Sequence, residues 1–302
     1  MSATSPDPLP PAPALDAARE PCPAPLNWVV VVTSVVAESQ PISVQLKDGE
    51  MRAEVYGAGP PLYFLGGATG SARLFALTAY LLREQYTCVL IDAPIWSKGP
   101  SAVLDQTAES LCRLADSLGH SRFDVYAAGF GCHVALTLLE QHRDRIGHVL
   151  LQGPVLRQPT LKRERWLYRI GQWLTRPMST LPGWMKVQEQ NHQRYFPPFD
   201  PTRYQFLIDT LGATPVGQVA TRLMAISQCD WCDLVPTIRN PVMVVRCEGE
   251  GDTLTRLSEQ FAADLPGCQT EWMHSAGHYP YLTHPNRLVK LIQQFLNPVV
   301  AP

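Results

Sequence analysis

The chain has 302 residues, of which 45% are hydrophobic and 17% charged, with a formal charge of −2 at pH 7. That length and apolar content suit one domain with a sizeable core. A net charge so close to zero supplies no field to hold a phosphate backbone, so no nucleic acid is expected as a partner.

Residues 1–25 carry Pro8, Pro10 and Pro11 and few large apolar side chains, so a disordered tail is expected there. The tail lacks the basic start and apolar stretch of a secretory leader, and the next run, Trp28–Val36, is too short to span a bilayer. A cytoplasmic protein is expected. Rich in valine, Trp28–Val36 reads as an opening strand, with Ile42–Gln45 and Met51–Tyr56 pairing around the turn Lys47-Asp-Gly-Glu50. Leu62-Tyr-Phe-Leu-Gly66-Gly67 reads as a buried strand ending in two glycines. Cys88–Pro94 is the next strand, followed by a loop over 95–101.

Phe123–Ala127 is a short apolar run, and Cys132–Gln141 is a helical pattern with Val134, Leu136, Leu138 and Leu139 as candidate buried positions. Between them, Ala127-Ala-Gly-Phe-Gly131 has the outline of a nucleophile elbow. That strained strand-to-helix turn needs small residues two before and two after its apex. Ala127 and Gly131 meet the need, which puts Gly129 where the attacking side chain belongs. Cys132 cannot take over, because in its register the flanking residues would be Phe130 and Val134, both too bulky.

From Pro154 to Pro236 mostly helical patterns interrupt the alternation of strands and helices. The stretch Leu161–Leu174 puts Trp166, Ile170, Trp173 and Leu174 on one stripe, with Lys162, Arg163, Arg165 and Arg169 elsewhere. Met178–Trp184 and Tyr195-Phe-Pro-Pro-Phe199 add aromatic, proline-punctuated loops suited to an apolar cleft lining. The eight cysteines read as thiols of an intracellular protein. Cys229-Asp-Trp-Cys232 has the spacing of half a metal or redox site, but no second pair follows, so neither metal nor cofactor is expected. Two last strands, Pro241–Arg246 and Thr270–Met273, run into Gly249-Glu-Gly-Asp252 and Ala276-Gly-His278-Tyr-Pro-Tyr281.

Elbow, acid and histidine in this order, from about Val44 to Leu296, resemble the α/β-hydrolase superfamily. The resemblance implies an α/β fold with a mostly parallel central sheet flanked by helices. It implies one domain over 26–302, with a helical cap inserted at about 155–236. It also implies that Gly66 and Gly67 border an oxyanion hole, that Asp252 is the acid and that His278 is the histidine. Glu248 and Glu250 are rivals to Asp252, which has the better spacing. Phe130 beside the apex, and Trp166 and Trp173 of the cap, are expected to line the binding cleft.

Within the superfamily, the Gly129 elbow together with Ile91-Asp-Ala-Pro94 resembles the N-myc downstream-regulated proteins, regarded as members without hydrolase activity. Leu26-Asn-Trp28, Ala220-Thr-Arg-Leu-Met-Ala225 and Tyr279-Pro-Tyr-Leu282 are similar to maspardin, a hydrolase-fold protein thought to act through partners. The chain departs from maspardin in lacking the elbow serine and from the other group in keeping Gly277-His278.

Removing the nucleophile from such an enzyme leaves a rate only about 10³ to 10⁴ above water, so the acyl-enzyme route is closed. The expected role is therefore a non-catalytic module that binds a protein partner. The alternatives are a serine-independent enzyme using a His278-Asp252 general base, and a receptor for an apolar small molecule in the capped cleft. A cap over a pocket is the preferred reading of the 161–174 stripe, and membrane-surface contact the less favoured one. His274 and His284 carry no motif, and His133 is expected to face away from the cleft.

Overall fold

The computed structural model describes residues 27–46, 49–69, 71–93, 95–96, 103–198 and 200–297. The expected tail over 1–25, the centre of the turn at 47–48, most of the loop at 95–101, and Pro94 and Phe199 lie outside the described residues. In chain order the elements are α1 (Trp28–Glu38), β1 (Gln40–Leu46), β2 (Gly49–Tyr56), β3 (Pro61–Leu65), α2 (Ala76–Leu82), β4 (Thr87–Ile91), β5 (Ile95–Trp96) and α3 (Val103–Ser117). Then come β6 (Phe123–Ala128), α4 (Phe130–Gln141), β7 (Ile146–Gln152), α5 (Lys162–Gly171), α6 (Trp184–His192), α7 (Pro201–Ala213) and α8 (Val216–Ile226). The last are β8 (Val242–Cys247), α9 (Asp252–Asp264), β9 (Gln269–Met273), α10 (Pro280–Thr283) and α11 (Pro285–Leu296).

Eight strands lie in the order β1-β2-β4-β3-β6-β7-β8-β9, and β5 pairs with β2 off that path. The β1–β2 and β2–β4 pairs are antiparallel; every pair from β4 to β9 is parallel. Successive side chains of a strand point to opposite faces, and the core divides accordingly. Leu62 and Phe64 of β3 pack with Phe75 and Leu77 on one side, beneath α1, α2, α10 and α11. Tyr63 and Leu65 pack on the other with Leu111, Leu136 and Phe261 of α3, α4 and α9. Strands covered on both faces must read as near-continuous apolar runs, as β3, β4 and β6 do. The expected fold class is the observed one.

The opening segment departs from expectation: Trp28–Glu38 is a helix, not a strand. Asn27 caps it, its side chain accepting from Val29 N at 3.0 Å and Val30 N at 3.4 Å. Trp28, Val31 and Val35 share one face and are buried, with the Trp28 ring 4.7 Å from that of Phe206. A valine costs a helix about 0.5 kcal/mol relative to alanine. Burying a side chain of this size returns about 1.5–3 kcal/mol, so three buried positions and a cap outweigh the propensity.

Between β7 and β8 the chain inserts α5 to α8. Trp184, Leu207, Ile208 and Leu211 of this insertion join the core beneath α1 and α2, and α5 packs on α8.

Candidate functional site

At the carboxyl end of β6 the chain turns into α4 at Gly129, with φ 53° and ψ −116°. A residue bearing a side chain holds that conformation only under strain. A Cβ at Gly129 would lie 3.3 Å from Gly67 Cα, so the elbow apex touches the loop after β3. At Gly131 a Cβ would fall 2.4 Å from Leu65 O, so only glycine lets α4 press against β3 there. Gly131 N donates to Gly66 O at 2.9 Å and locks the two segments together. The elbow outline read from the sequence is thus a backbone fact, with Gly66 and Gly67 beside the apex.

The Phe130 ring is buried in the core on the α3 and α4 side of the sheet, so it does not line a cleft as expected. What Phe130 offers at the apex is its N–H, at the first position of α4, where a helix supplies no acceptor. Cys132 is buried, its Sγ donating to Ala127 O at 3.4 Å and Gln152 O at 3.2 Å. Burial pushes its thiol well above the ordinary range, which makes it a poor nucleophile.

The loops after β8 and β9 meet each other, Gly249 N donating to Ala276 O at 2.9 Å. A buried relay ties them to the sheet. Tyr126 Oη donates to Gln152 Oε1 at 2.7 Å, and Gln152 Nε2 donates to Glu250 Oε1 at 2.8 Å and to His278 O at 2.9 Å. Cys247 N donates to the other Glu250 oxygen at 3.4 Å. Asp252 is not part of this arrangement: it is exposed at the start of α9, and no hydrogen bond joins it to His278. The acid that shares both the relay and the cavity with His278 is Glu250. Glu248 instead accepts from Ser275 N at 2.8 Å on the exposed side.

Burial raises the Glu250 carboxyl to about 7, against the opposing pull of the Gln152 and Cys247 N–H groups. Burial lowers His278, which keeps its imidazole neutral and able to accept a proton at neutral pH. Both loops open on a cleft of about 710 Å³, shared with Thr69 and with Gln188, Asn191, His192 and Arg194 of the insertion. This lining is more polar than the apolar one expected. The His192 ring stands 6.2 Å from that of His278 and edge-on to Tyr279 at 5.0 Å. Its Nδ1 is buried without a hydrogen-bond partner among the described residues. Burial, then the repulsion a protonated His278 would exert, lower His192 to about 4.

Trp166 and Trp173 do not reach the cleft: they are 62% and 81% exposed on the outer side of the insertion. His133 is buried away from the cleft, as expected, its Nδ1 accepting from Trp231 Nε1 at 2.9 Å. Sequence reasoning did not single out Gln152, His192 or Arg222. Arg222 is buried beneath the oxyanion-side loop, donating to Ala68 O at 2.6 Å and Ala93 O at 2.9 Å. Asp92 accepts from Ala72 N at 2.7 Å, and its charge opposes the burial that lowers Arg222 to about 10. Among the described residues no group of His, Cys, Asp and Glu could hold a metal ion, and no helix is long and apolar enough to cross a membrane.

A parallel sheet with a strained elbow after β6, and acid and histidine loops after β8 and β9, defines the architecture of the α/β-hydrolases. Residues 62–291 match the model of the Alpha/beta hydrolase family, and the chain belongs to that family. A 2-hydroxy-6-oxononadienedioate/2-hydroxy-6-oxononatrienedioate hydrolase of Burkholderia vietnamiensis is 27% identical over 129 residues, 40% of this chain and 43% of that one. A second enzyme of that name, from Pseudomonas putida, is 32% identical over 104 residues, 33% of this chain and 34% of that one. The chain thus spans less than half the length of these curated relatives. Among solved structures, an esterase from Thermogutta terrifontis superposes with a TM-score of 0.72 at 19% identity, covering 87% of this chain and 100% of that one. The enol-lactonase from Burkholderia xenovorans gives 0.69 at 16%, covering 84% and 99%. The structural likenesses show the fold. The named hydrolases among the relatives overturn the expectation of a non-catalytic scaffold and point to hydrolytic chemistry.

Proposed function

We propose that this chain is a hydrolase that cleaves beside a carbonyl with water, not a side chain, as the attacking group. The observation that carries this reading is the elbow, whose backbone keeps the turn against Gly67 although Gly129 has no side chain. A carbonyl bound at the apex directs its oxygen at the N–H groups of Gly67 and Phe130. As the water oxygen bonds to the carbonyl carbon, its proton passes to His278 and the π pair moves onto the carbonyl oxygen. Collapse re-forms the carbonyl as an acid, breaks the bond to the leaving group, and returns the proton from His278 to that group.

Glu250 and the His278 carbonyl share the Gln152 amide, which fixes both loops. The substrate class that fits is a small oxo-acid. Arg194 and the His192 ring supply polar contacts in the cleft, and the partial relatives are named for dioates. The test is turnover of oxo-acid and p-nitrophenyl ester panels by wild type and His278→Ala, with intact-mass analysis of quenched samples. Product release without an initial burst or a covalent adduct, slowed at least about 10²-fold in His278→Ala, is expected. Turnover that survives His278→Ala, or none in the wild type on any panel, refutes the proposal.

A further inference from the structure

On α5 the stripe foreseen as the inside of a cap faces outward. Glu164, Tyr168 and Gly171, at helical spacing, turn inward toward α8, while Trp166, Leu167, Ile170, Trp173 and Leu174 are exposed. Exposed large apolar side chains in such number on one short segment mark a contact surface. Lys162, Arg163, Arg165, Arg169 and Arg176 surround them, and all five are exposed. Among the described residues none of these cations has an acidic partner. The segment's one acid, Glu164, is turned back to accept from Leu161 N at 2.9 Å. Beside Trp166, the side chains of Lys162, Arg165 and Arg169 line a shallow groove of about 280 Å³ against Met224 and Gln228.

We infer that this face of α5 docks the protein on an anionic lipid surface. Charge complementarity selects that occupant: an uncompensated basic cluster in a chain of net charge −2 is matched by acidic headgroups. Tryptophans with leucine and isoleucine between them are matched by the headgroup and acyl boundary, where amphipathic rings settle. A soluble acidic protein would satisfy the cations but needs complementary pockets for the two indoles. A lipid surface adapts to them. The helix lies in the plane of the surface and spans nothing.

The experiment is co-sedimentation of the full chain with vesicles of pure phosphatidylcholine and with vesicles containing phosphatidylserine, at low and high salt, with tryptophan emission recorded. Binding to the phosphatidylserine vesicles alone, weakened by salt and accompanied by a blue shift, is expected. Each basic residue near such a surface strengthens binding about fivefold, so Arg165→Ala with Arg169→Ala lowers the partition coefficient about 25-fold. Trp173→Ala removes most of the blue shift. These side chains are exposed, so the variants keep the fold, which thermal melts check. Absence of wild-type binding to phosphatidylserine vesicles at low salt overturns the inference. So does binding indifferent to both sets of substitutions, or a concentration-dependent dimer in light scattering that Trp173→Ala dissolves.

Discussion

Replacing Gly129 by serine tests the elbow and the chemistry together. At φ 53° and ψ −116° a side chain imposes strain of about 1–3 kcal/mol. Its Cβ would sit 3.3 Å from Gly67 Cα, a contact that the β3 loop relieves by moving a few tenths of an ångström. Against this, losing glycine's freedom in the unfolded chain returns about 0.4–1 kcal/mol. The net cost is therefore about 1–2 kcal/mol, a fall in melting temperature of about 2–4 °C per kcal/mol or somewhat less for a chain this long. The same side chain would put a hydroxyl at the elbow apex, where an α/β-hydrolase carries its nucleophile. Hydrolysis of p-nitrophenyl acetate should rise at least about 10²-fold over wild type and vanish again when His278→Ala is added. Calorimetry gives the first quantity and a stopped-flow assay the second. A folded Gly129→Ser protein with an unchanged or raised melting temperature would refute the assigned backbone strain. One that is destabilised as expected yet forms no acyl adduct would refute the proposal that His278 serves as base at the apex.

Three further outcomes follow from the same geometry. Burial lifts Glu250 from 4.5 to about 7, so the folded form holds its proton more tightly than the unfolded one. Stability from this group is full below about pH 4.5 and is lost as pH rises through 7, a span of about 3 kcal/mol at most. Glu250→Gln should flatten urea-melt stability between about pH 5 and 8; a wild-type slope retained in the variant would contradict this. Tyr126→Phe strips the donor from buried Gln152 Oε1 and should cost about 1–3 kcal/mol, with turnover reduced although Tyr126 touches no substrate. Arg222→Ala leaves the carbonyls of Ala68 and Ala93 without their guanidinium and should cost at least about 2 kcal/mol. Because the loop it braces holds Gly67, kcat should fall more than KM rises.

The sheet was legible because its strands are buried on both sides: Leu62–Leu65, Cys88–Ile91 and Phe123–Ala127 admit few polar residues, and glycines stop two of them. The elbow was legible because Gly131 meets a steric demand that leaves a trace in the sequence. Segment Trp28–Val36 misled because valine favours strands; Asn27 before it, and the 28, 31, 35 spacing, were the overlooked signals. Asp252, expected as the acid, sits exposed at the start of α9 instead of facing His278. Strand β8 runs through Cys247, and a short turn over Glu248–Glu250 points Glu250 at Gln152, leaving Asp252 to open α9. Nothing in a linear pattern joins Gln152 to residue 278 or His192 to the cleft, since both depend on how the insertion and the strand ends meet. The α5 stripe was read correctly as periodic, but periodicity alone cannot tell which side of a helix has a partner.

Whether water alone can serve as the nucleophile is a question of magnitudes. Glycine adopts the conformation at Gly129 without strain, and the Gly131 N to Gly66 O bond and the close approach of Gly131 to Leu65 hold the turn there. Those contacts bring the Phe130 N–H and the Gly67 loop to one place. Each such donor, aimed where negative charge develops, is worth about 10²–10³ in rate. A positioned general base adds about 10²–10⁴, and burial keeps His278 in the neutral form that this role needs. Groups that act as a unit do not multiply, so the oxyanion donors and binding together keep about 10³–10⁴ over water, the rate from which the water route starts. The serine would have added a covalent intermediate; its absence removes one step and leaves the stabilisation of the oxyanion intact.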